Sequence, residues 1–115
     1  SEIRLTLGEQ KRDFIFIDDV VSAFLTVLAK SETLPQFSEF DVGTGQLTSV
    51  RKFVERIAFL YHKTNPKSKT TLLFGAIPYR KGEVMSVYVD IENLKKIGWQ
   101  PKISLDDGIS KIIRE

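Results

Sequence analysis

The feature that most constrains this chain is a glycine-rich turn that follows a short predicted strand at residues 40–42. Gly43 and Gly45 begin the spacing G-x-G-x-x-G, which opens a helix in dinucleotide-binding proteins. Thr48 stands where a third glycine would let the helix pack closely on the strand. No acidic residue follows roughly 20 positions later to hold a ribose. The pattern therefore predicts a tight strand-to-helix turn rather than a cofactor-binding loop.

Composition narrows the function classes further. The chain has 115 residues, 42% of them hydrophobic and 28% charged, which is ordinary for one soluble domain. The formal net charge of +2 is too small to indicate a nucleic-acid partner, and no apolar stretch is long enough to span a membrane. Without cysteine there is no disulfide framework and no thiolate ligand or nucleophile. These features favour a cytoplasmic protein with no membrane and no nucleic-acid partner.

Apolar runs and amphipathic segments alternate along the chain. Strands are predicted at residues 12–17, 40–42, 70–74 and 84–89, and the first of them is expected to be buried on both faces. Helices are predicted at four places: after caps at Asp18 and Asp19 as far as Lys30, after a cap at Thr48 or Ser49, between Asp90 and Gly98, and after the pattern Ser104-x-x-Asp107. This alternation predicts an α/β domain.

The edges of this pattern are typical of a part of a larger protein. Residues 2–8 resemble a strand that no partner precedes. The first predicted helix also carries a broad apolar face, formed by Val20, Val21, Phe24, Val27 and Leu28. Such faces need a larger sheet to cover them, so we expect the chain to be a fragment.

Few side chains could carry out catalysis. His62 is the only histidine, and at a helix end it is more typical of a surface residue than of a catalytic triad. One histidine and scattered carboxylates give no metal-ligand spacing. No tyrosine is followed four positions later by lysine, so a Tyr-x-x-x-Lys proton relay is absent. We assign no catalytic residue, no cofactor-binding residue and no metal ligand to this chain.

Arg12, Arg80 and Glu83 are the candidate binding residues. Guanidinium groups suit the oxygens of a pyrophosphate, and such charge-assisted hydrogen bonds contribute about 1.5–3 kcal/mol each. A carboxylate such as Glu83 can accept hydrogen bonds from both hydroxyls of a ribose. The residues alone equally allow both arginines to form surface salt bridges, which contribute about 0–1 kcal/mol.

Five motifs follow one another along most of the chain. Residues 8–21 contain the pattern Gly-x-x-x-Arg-Asp-aromatic-hydrophobic-Asp-Asp, residues 40–50 the glycine-rich turn, and residues 79–83 the pattern Arg-x-Gly-acid. Residues 90–101 and 104–109 complete the series. In this order the motifs resemble the C-terminal part of the extended short-chain dehydrogenase/reductase family, the nucleotide-sugar epimerases and dehydratases.

The resemblance implies an α/β fold: the C-terminal substrate-binding part of an extended Rossmann-type short-chain dehydrogenase/reductase, with three to four helices and short strands. Residues 1–115 would form one nucleotide-sugar-binding domain, and the N-terminal Rossmann domain, which this chain lacks, would bind NAD or NADP. By the same resemblance, Arg12 and Arg80 contact the pyrophosphate of a nucleoside-diphosphate sugar and Glu83 holds its ribose. The family often has aspartate at this last position.

The resemblance also implies that the parent is an NAD(P)-dependent epimerase, dehydratase or reductase. Residues 75–80 are similar to a segment in enzymes that make deoxysugars for bacterial surface polysaccharides, CDP-sugar enzymes among them. The chain alone is expected to bind no cofactor and to show no turnover. The alternative is a stand-alone, non-catalytic binding or self-association module of the same fold, whose apolar faces are covered in a homo-oligomer.

Overall fold

The computed structural model describes residues 1–114. Four helices and four short strands are formed in that range, which confirms the predicted α/β class. In chain order they are β1 (Glu2–Leu5), β2 (Lys11–Arg12), α1 (Ile17–Lys30), β3 (Thr48–Ser49), α2 (Val50–Thr64), β4 (Thr71–Phe74), α3 (Glu92–Lys96) and α4 (Leu105–Arg114), with a 3-10 turn at Ser31–Thr33. None of these helices combines the length and the apolar character that crossing a bilayer requires.

The strands form two separate two-stranded sheets. β1 pairs with β4 in parallel, with Ile3 opposite Leu72 and Leu5 opposite Phe74, and β2 pairs with β3 in the antiparallel direction. The strand-like run that opens the chain is therefore a strand, and its partner comes later in the sequence. The strand predicted at residues 70–74 is confirmed from Thr71 onward.

The predicted buried strand at residues 12–17 is wrong. β2 ends at Arg12, and Ile17, which is 70% exposed, already belongs to α1. Between them Asp13 binds the glycine-rich turn, and Phe14 stacks on a ring of α2 with the centroids 3.9 Å apart. These side-chain contacts fix the backbone of the connection without a strand ladder, so its β-type composition produces no strand.

The interpretation of Asp18 and Asp19 as helix caps is also wrong. α1 begins one residue earlier, and no side chain caps it. Asp19 is buried, and its carboxylate accepts hydrogen bonds from the backbone N–H groups of Lys102 and Ile103 at 3.0–3.1 Å. Asp18 forms an ion pair with Lys111 of α4. Both carboxylates thus tie the first turn of α1 to the C-terminal part of the fold.

Two other predicted strands are not formed within residues 1–114. Residues 40–42 belong to no strand, although Phe40 and Val42 pack against the core. Residues 84–89 contribute one isolated bridge, from Ser86 to Lys11. Each run lacks a neighbouring strand of matching length in the described structure, and composition alone does not supply the partners that a ladder needs.

The predicted cap of α2 is confirmed. The Ser49 side chain accepts a hydrogen bond from the backbone N–H of Lys52 at 3.1 Å. Further along α2, Arg56 binds Asp106 of α4 through Nε to Oδ1 at 3.1 Å and Nη2 to Oδ2 at 2.6 Å. These hydrogen bonds raise the pKa of Arg56 and lower the pKa of Asp106, because each stabilises the charged form of both partners. The pair joins α2 to α4.

The core lies where α3 packs against α1. Its buried members are Ala23, Ile91, Leu94 and Trp99, and burying a side chain such as Leu94 contributes about 1.5–3 kcal/mol. α3 ends in a Schellman motif. The N–H of Trp99 donates to the carbonyl of Leu94, and the N–H of Gly98 donates to the carbonyl of Lys95, both at 3.0 Å. Gly98 has φ +95, so the predicted stop of this helix is confirmed.

α4 starts directly after its predicted cap, Ser104, whereas the N-cap position of α3 is Ile91, one residue after the predicted Asp90. Oδ1 of Asp90 accepts a hydrogen bond from the N–H of Glu92 at 3.0 Å, and Oγ of Ser104 accepts one from the N–H of Asp107 at 3.1 Å. Each contact satisfies a backbone donor that the first turn of a helix leaves free.

α1 presents apolar residues on two sides. Ala23 faces the core, whereas five large residues on the other side are between 48 and 70% exposed: Ile17, Val21, Phe24, Leu25 and Leu28. Their spacing places them along one side of the helix, and we name them the α1 stripe. The expectation of an uncovered apolar face is thus confirmed for α1, while Val20 and Val27 of the predicted face are half-buried.

Candidate functional site

Residues 9–11 hold the loop that carries Arg80 and Glu83. The N–H of Glu9 donates to the hydroxyl of Tyr79 at 2.8 Å, and that hydroxyl donates to Oε1 of Glu9 at 3.2 Å. Two positions further along, the N–H of Lys11 donates to the carbonyl of Met85 at 2.7 Å. The loop is therefore fastened at both ends to the segment that leads into β2.

Arg12 and Glu83 come together in this arrangement. Nη2 of Arg12 lies 3.8 Å from Oε2 of Glu83, with 31% and 23% of the two side chains exposed. Nη1 of Arg12 donates to the carbonyl of Lys11 at 2.8 Å, so the guanidinium is held from two directions. A half-exposed pair at this separation contributes at most about 1 kcal/mol to stability, and both groups can exchange partners at small cost.

Arg80 opens a tight turn that ends at Glu83. The N–H of Glu83 donates to the carbonyl of Arg80 at 3.1 Å, and Gly82 at the third position has φ +80. This conformation fits a type II turn, which requires glycine at that position. The Arg80 side chain is exposed and has no hydrogen bond or ion pair in the part of the chain that the structure describes.

The three predicted binding residues thus differ in state. Arg12 and Glu83 form an ion pair, and Arg80 lies three positions from Glu83 in the same turn with no hydrogen bond or ion pair from its side chain to either of them within residues 1–114. A guanidinium paired with a carboxylate, with a second arginine in the same turn as that carboxylate, can bind a molecule that carries both an anionic group and hydroxyls.

The glycine-rich turn lies apart from these residues and already holds an anionic side chain. The carboxylate of Asp13 accepts hydrogen bonds from the N–H of Thr44 at 2.8 and 2.9 Å, from its hydroxyl at 2.6 Å and from the N–H of Gly45 at 2.8 Å. A Cβ built on Gly43 would lie 2.7 Å from Oδ2 of Asp13. The donors and the space that a dinucleotide phosphate would need are occupied, so this turn does not fit NAD or NADP.

Other kinds of site find little support in the described residues. Across residues 1–114, no three His, Cys, Asp or Glu side chains are grouped as metal ligands. His62 is exposed in the last turn of α2. The neighbourhood of Arg12 and Glu83 therefore remains the candidate site.

Sequence reasoning missed three residues of this neighbourhood. Glu9 and Tyr79 form the two hydrogen bonds described above, and the buried Gln10 donates from Nε2 to Oε1 of Glu83 at 3.3 Å. Gln10 and Glu83 are separated by 73 positions, and nothing in the sequence marks Gln10 as buried. The position of Tyr79 next to Arg80 was the one local signal that the hydrogen bonds between Glu9 and Tyr79 belong to the site.

The comparison with protein families matches nearly the whole chain. The family described as GDP-mannose 4,6 dehydratase matches residues 1–112. CDP-abequose synthase of Salmonella typhimurium is 39% identical over 114 residues, which are 99% of this chain and 37% of that protein. The dTDP-D-glucose 4,6-dehydratase of Mus musculus is 32% identical over 92% of this chain and 29% of its own length. The chain therefore spans about a third of these curated relatives.

Solved structures agree with this family. RMD from Pseudomonas aeruginosa, complexed with NADPH, matches 98% of this chain and 35% of its own with a TM-score of 0.78 at 21% identity. UDP-glucose 4-epimerase from Thermotoga maritima, with UDP-glucose, matches 99% of this chain and 34% of its own with a TM-score of 0.74 at 27% identity. The chain belongs to the GDP-mannose 4,6 dehydratase family and corresponds to the C-terminal part of an extended short-chain dehydrogenase/reductase of the epimerase and dehydratase type.

Proposed function

We propose that this chain forms the nucleotide-sugar-binding part of an NAD(P)-dependent epimerase, dehydratase or reductase. The observation that carries the proposal is the meeting of Arg12 with Glu83 beside the unpartnered Arg80. In this role Arg12 and Arg80 bind the diphosphate, and Glu83 accepts hydrogen bonds from the ribose hydroxyls.

The ion pair between Arg12 and Glu83 supports this role in the unliganded chain. Without a ligand, Arg12 and Glu83 neutralise each other's charge. When a ligand binds, its diphosphate forms hydrogen bonds with Arg12, and its ribose hydroxyls donate to free lone pairs of Glu83. The weak pair costs little to open, whereas the charge-assisted hydrogen bonds formed with a diphosphate contribute about 1.5–3 kcal/mol each. The contacts with the ligand are therefore stronger than the ion pair that they replace.

The cofactor is proposed to bind outside residues 1–115. RMD from Pseudomonas aeruginosa is complexed with NADPH, and UDP-glucose 4-epimerase from Stenotrophomonas maltophila has bound NAD. In this chain the glycine-rich turn is filled by Asp13. We therefore expect the 115-residue chain to show no sugar oxidation or epimerisation by itself.

The remainder of the parent is proposed to cover the α1 stripe. The relatives are about three times as long as the matched segment, since this chain covers 37% and 29% of two of them. Exposed apolar stripes of this kind mark interaction surfaces in soluble proteins. The parent is further proposed to be cytoplasmic and to act in bacterial surface polysaccharide synthesis, in keeping with the absence of cysteine and the likeness to CDP-abequose synthase.

The test replaces Arg80 in the full-length parent. Titration calorimetry with the nucleoside diphosphates CDP, UDP, GDP and ADP identifies the base that binds, and NADH is titrated in parallel. We expect Arg80→Ala to weaken the diphosphate by about tenfold or more and to leave NADH binding unchanged. Lys81→Ala, which removes the neighbouring exposed charge, is the matched control and should change neither affinity by more than about twofold. Equal losses for both ligands in Arg80→Ala would contradict the proposal.

A stand-alone, self-associating module remains the second candidate, because the α1 stripe is also suited to a second copy of the chain. Sedimentation of the chain at several concentrations separates the two. A monomer at all concentrations would count against the module, and a stable dimer would favour it.

A further inference from the structure

Gln10 is a buried polar residue whose side chain is aimed at the candidate site. It is 8% exposed, and its backbone carbonyl accepts a hydrogen bond from the N–H of Val50 at 2.9 Å. Its amide Nε2 donates to Oε1 of Glu83 at 3.3 Å. The first residue of α2 thus fixes the backbone of Gln10, and the side chain reaches from there to the carboxylate.

The other amide atom of Gln10 is left without a partner. Oε1 has no hydrogen-bond donor among residues 1–114. Turning the amide over would not relieve this, because Oε1 would then face a carboxylate, which only accepts hydrogen bonds. A buried acceptor without a donor costs stability, so Gln10 is oriented for Glu83 at the expense of the fold.

Glu83 needs such a contact to hold one orientation. Its other side-chain partner within the described chain is Arg12, at 3.8 Å, which is beyond hydrogen-bond distance. An ion pair of that length attracts the carboxylate without fixing its rotation. The hydrogen bond from Gln10 fixes Oε1 and leaves further lone pairs on both oxygens for incoming hydroxyls.

We propose that Gln10 is a positioning residue, which holds the Glu83 carboxylate in the orientation that accepts a ribose diol and so sets the preference for ribose over 2′-deoxyribose. This inference rests on the proposed function of Glu83. It extends that function, because it assigns the sugar specificity of the nucleotide to a buried residue that does not touch the ligand.

The experiment measures a ratio of affinities in the full-length parent. The nucleoside diphosphate that binds most tightly among CDP, UDP, GDP and ADP is titrated against its own 2′-deoxy form. We expect wild type to prefer the ribose form by about tenfold, and Glu83→Gln and Gln10→Met to bind both forms almost equally. Gln10→Met keeps the length of the side chain and removes both the donor and the orphaned acceptor, so its denaturation midpoint should stay the same or rise.

A second variant provides a readout that structural damage does not imitate. Gln10→Glu places a carboxyl group against Glu83, and the two charges repel each other at neutral pH. As the pH falls, the pair takes up a shared proton, and the protonated carboxyl donates the hydrogen bond that the amide gave before. The ribose preference of Gln10→Glu should therefore recover as the pH is lowered from neutral into the acidic range, and the wild type, which lacks the second carboxyl group, should show no such recovery.

The outcomes separate this inference from the proposed function. If Gln10→Met retains the ribose preference, or weakens the ribose and deoxyribose forms equally, the role of Gln10 is overturned. If Glu83→Gln loses the preference in the same experiment, the proposed function of Glu83 is still supported. A wild type with no preference overturns the ribose role of Glu83 and this inference together. Should Gln10→Met fail to fold, the pH profile of Gln10→Glu decides, and a flat profile overturns the inference.

Discussion

The carboxylate of Asp13 receives the backbone N–H of Thr44 on both of its oxygens, at 2.8 and 2.9 Å. The hydroxyl of Thr44 and the N–H of Gly45 complete the set of donors. Adjacent N–H groups in a glycine-rich turn form a concave site for an anion. Here the anion comes from the chain itself, so a sequence that resembles a phosphate-binding loop acts as an internal clasp between the loop after β2 and the turn before β3.

Asp13→Asn should therefore destabilise the fold without touching the candidate binding residues. The amide keeps one accepting oxygen and turns an N–H₂ group toward backbone donors, so we expect a loss of about 2–3 kcal/mol. Urea denaturation at neutral pH measures the change. Asp41→Asn, at an exposed position beside the same turn, should shift the midpoint little. Equal shifts of the denaturation midpoint in Asp13→Asn and Asp41→Asn would mean that the hydrogen bonds between Asp13 and the glycine-rich turn do not stabilise the fold.

Gly108→Ala separates packing from helix propensity. Alanine in the middle of α4 should stabilise the helix by about 1 kcal/mol on propensity alone. A Cβ at this position would overlap the ring of Phe16, and overpacking of this kind costs about 1–3 kcal/mol. We expect a net loss in denaturation experiments and its recovery when Phe16→Leu is added. A more stable single variant would show that the ring moves away freely.

The pair of Arg56 and Asp106 predicts a dependence of stability on pH. The folded state lowers the pKa of Asp106, chiefly through the hydrogen bond from Arg56. The stabilisation is therefore present above the unfolded aspartate value of about 3.9 and is lost as the pH falls through the lower folded value. The stability difference between wild type and Asp106→Asn should shrink below about pH 4 in urea titrations.

Asp107→Asn is the matched control for this effect. Asp107 also lies in the first turn of α4, so both carboxylates interact with the same helix terminus, but only Asp106 meets Arg56. If the stability difference between wild type and Asp106→Asn stays constant between pH 7 and pH 3, the role assigned to the pair of Arg56 and Asp106 is contradicted.

Phe24→Ala tests what covers the α1 stripe. Phe24 is 62% exposed in residues 1–114, so the change should leave the 115-residue chain as stable as before. In the full-length parent, where the stripe is proposed to be covered, truncation of a buried phenylalanine should cost about 3–5 kcal/mol. Thermal or urea denaturation of both proteins measures the difference.

Phe37→Ala is the control for the stripe, since Phe37 is 89% exposed and lies outside it. If Phe24→Ala causes no loss of stability in the full-length parent, the remainder of that protein does not cover the α1 stripe. Dissociation of a dimer of the short chain by Phe24→Ala would instead identify a second copy as the occupant.

Local signals predicted the ends of the helices well. Ser49, Gly98 and Ser104 act on backbone groups within a few positions of themselves, so the sequence contains the whole interaction. The role of Asp19 was misread for the opposite reason. Its carboxylate binds backbone N–H groups 83 and 84 positions away, and an aspartate before a helix pattern looks the same whether it caps that helix or anchors a distant segment.

The charged members of the candidate site were proposed from the sequence and stay predictions, whereas the contacts that support them were not foreseen. Arg12, Arg80 and Glu83 were identified because their chemistry and the family's motifs point to them. Gln10 was missed because its burial depends on where α2 begins, far along the chain. The failed strand at residues 12–17 has a similar origin, since apolar side chains also pack well in an irregular connection that stacks on a helix.

The Schellman motif at the end of α3 delivers the chain's single tryptophan into the core. Trp99 is 4% exposed, and its indole N–H donates to the hydroxyl of Ser22 in α1 at 2.8 Å. Its fluorescence therefore reports one structural event, the separation of the segment after α3 from α1. The same signal can therefore follow folding, without a label, in the variants of the 115-residue chain described above.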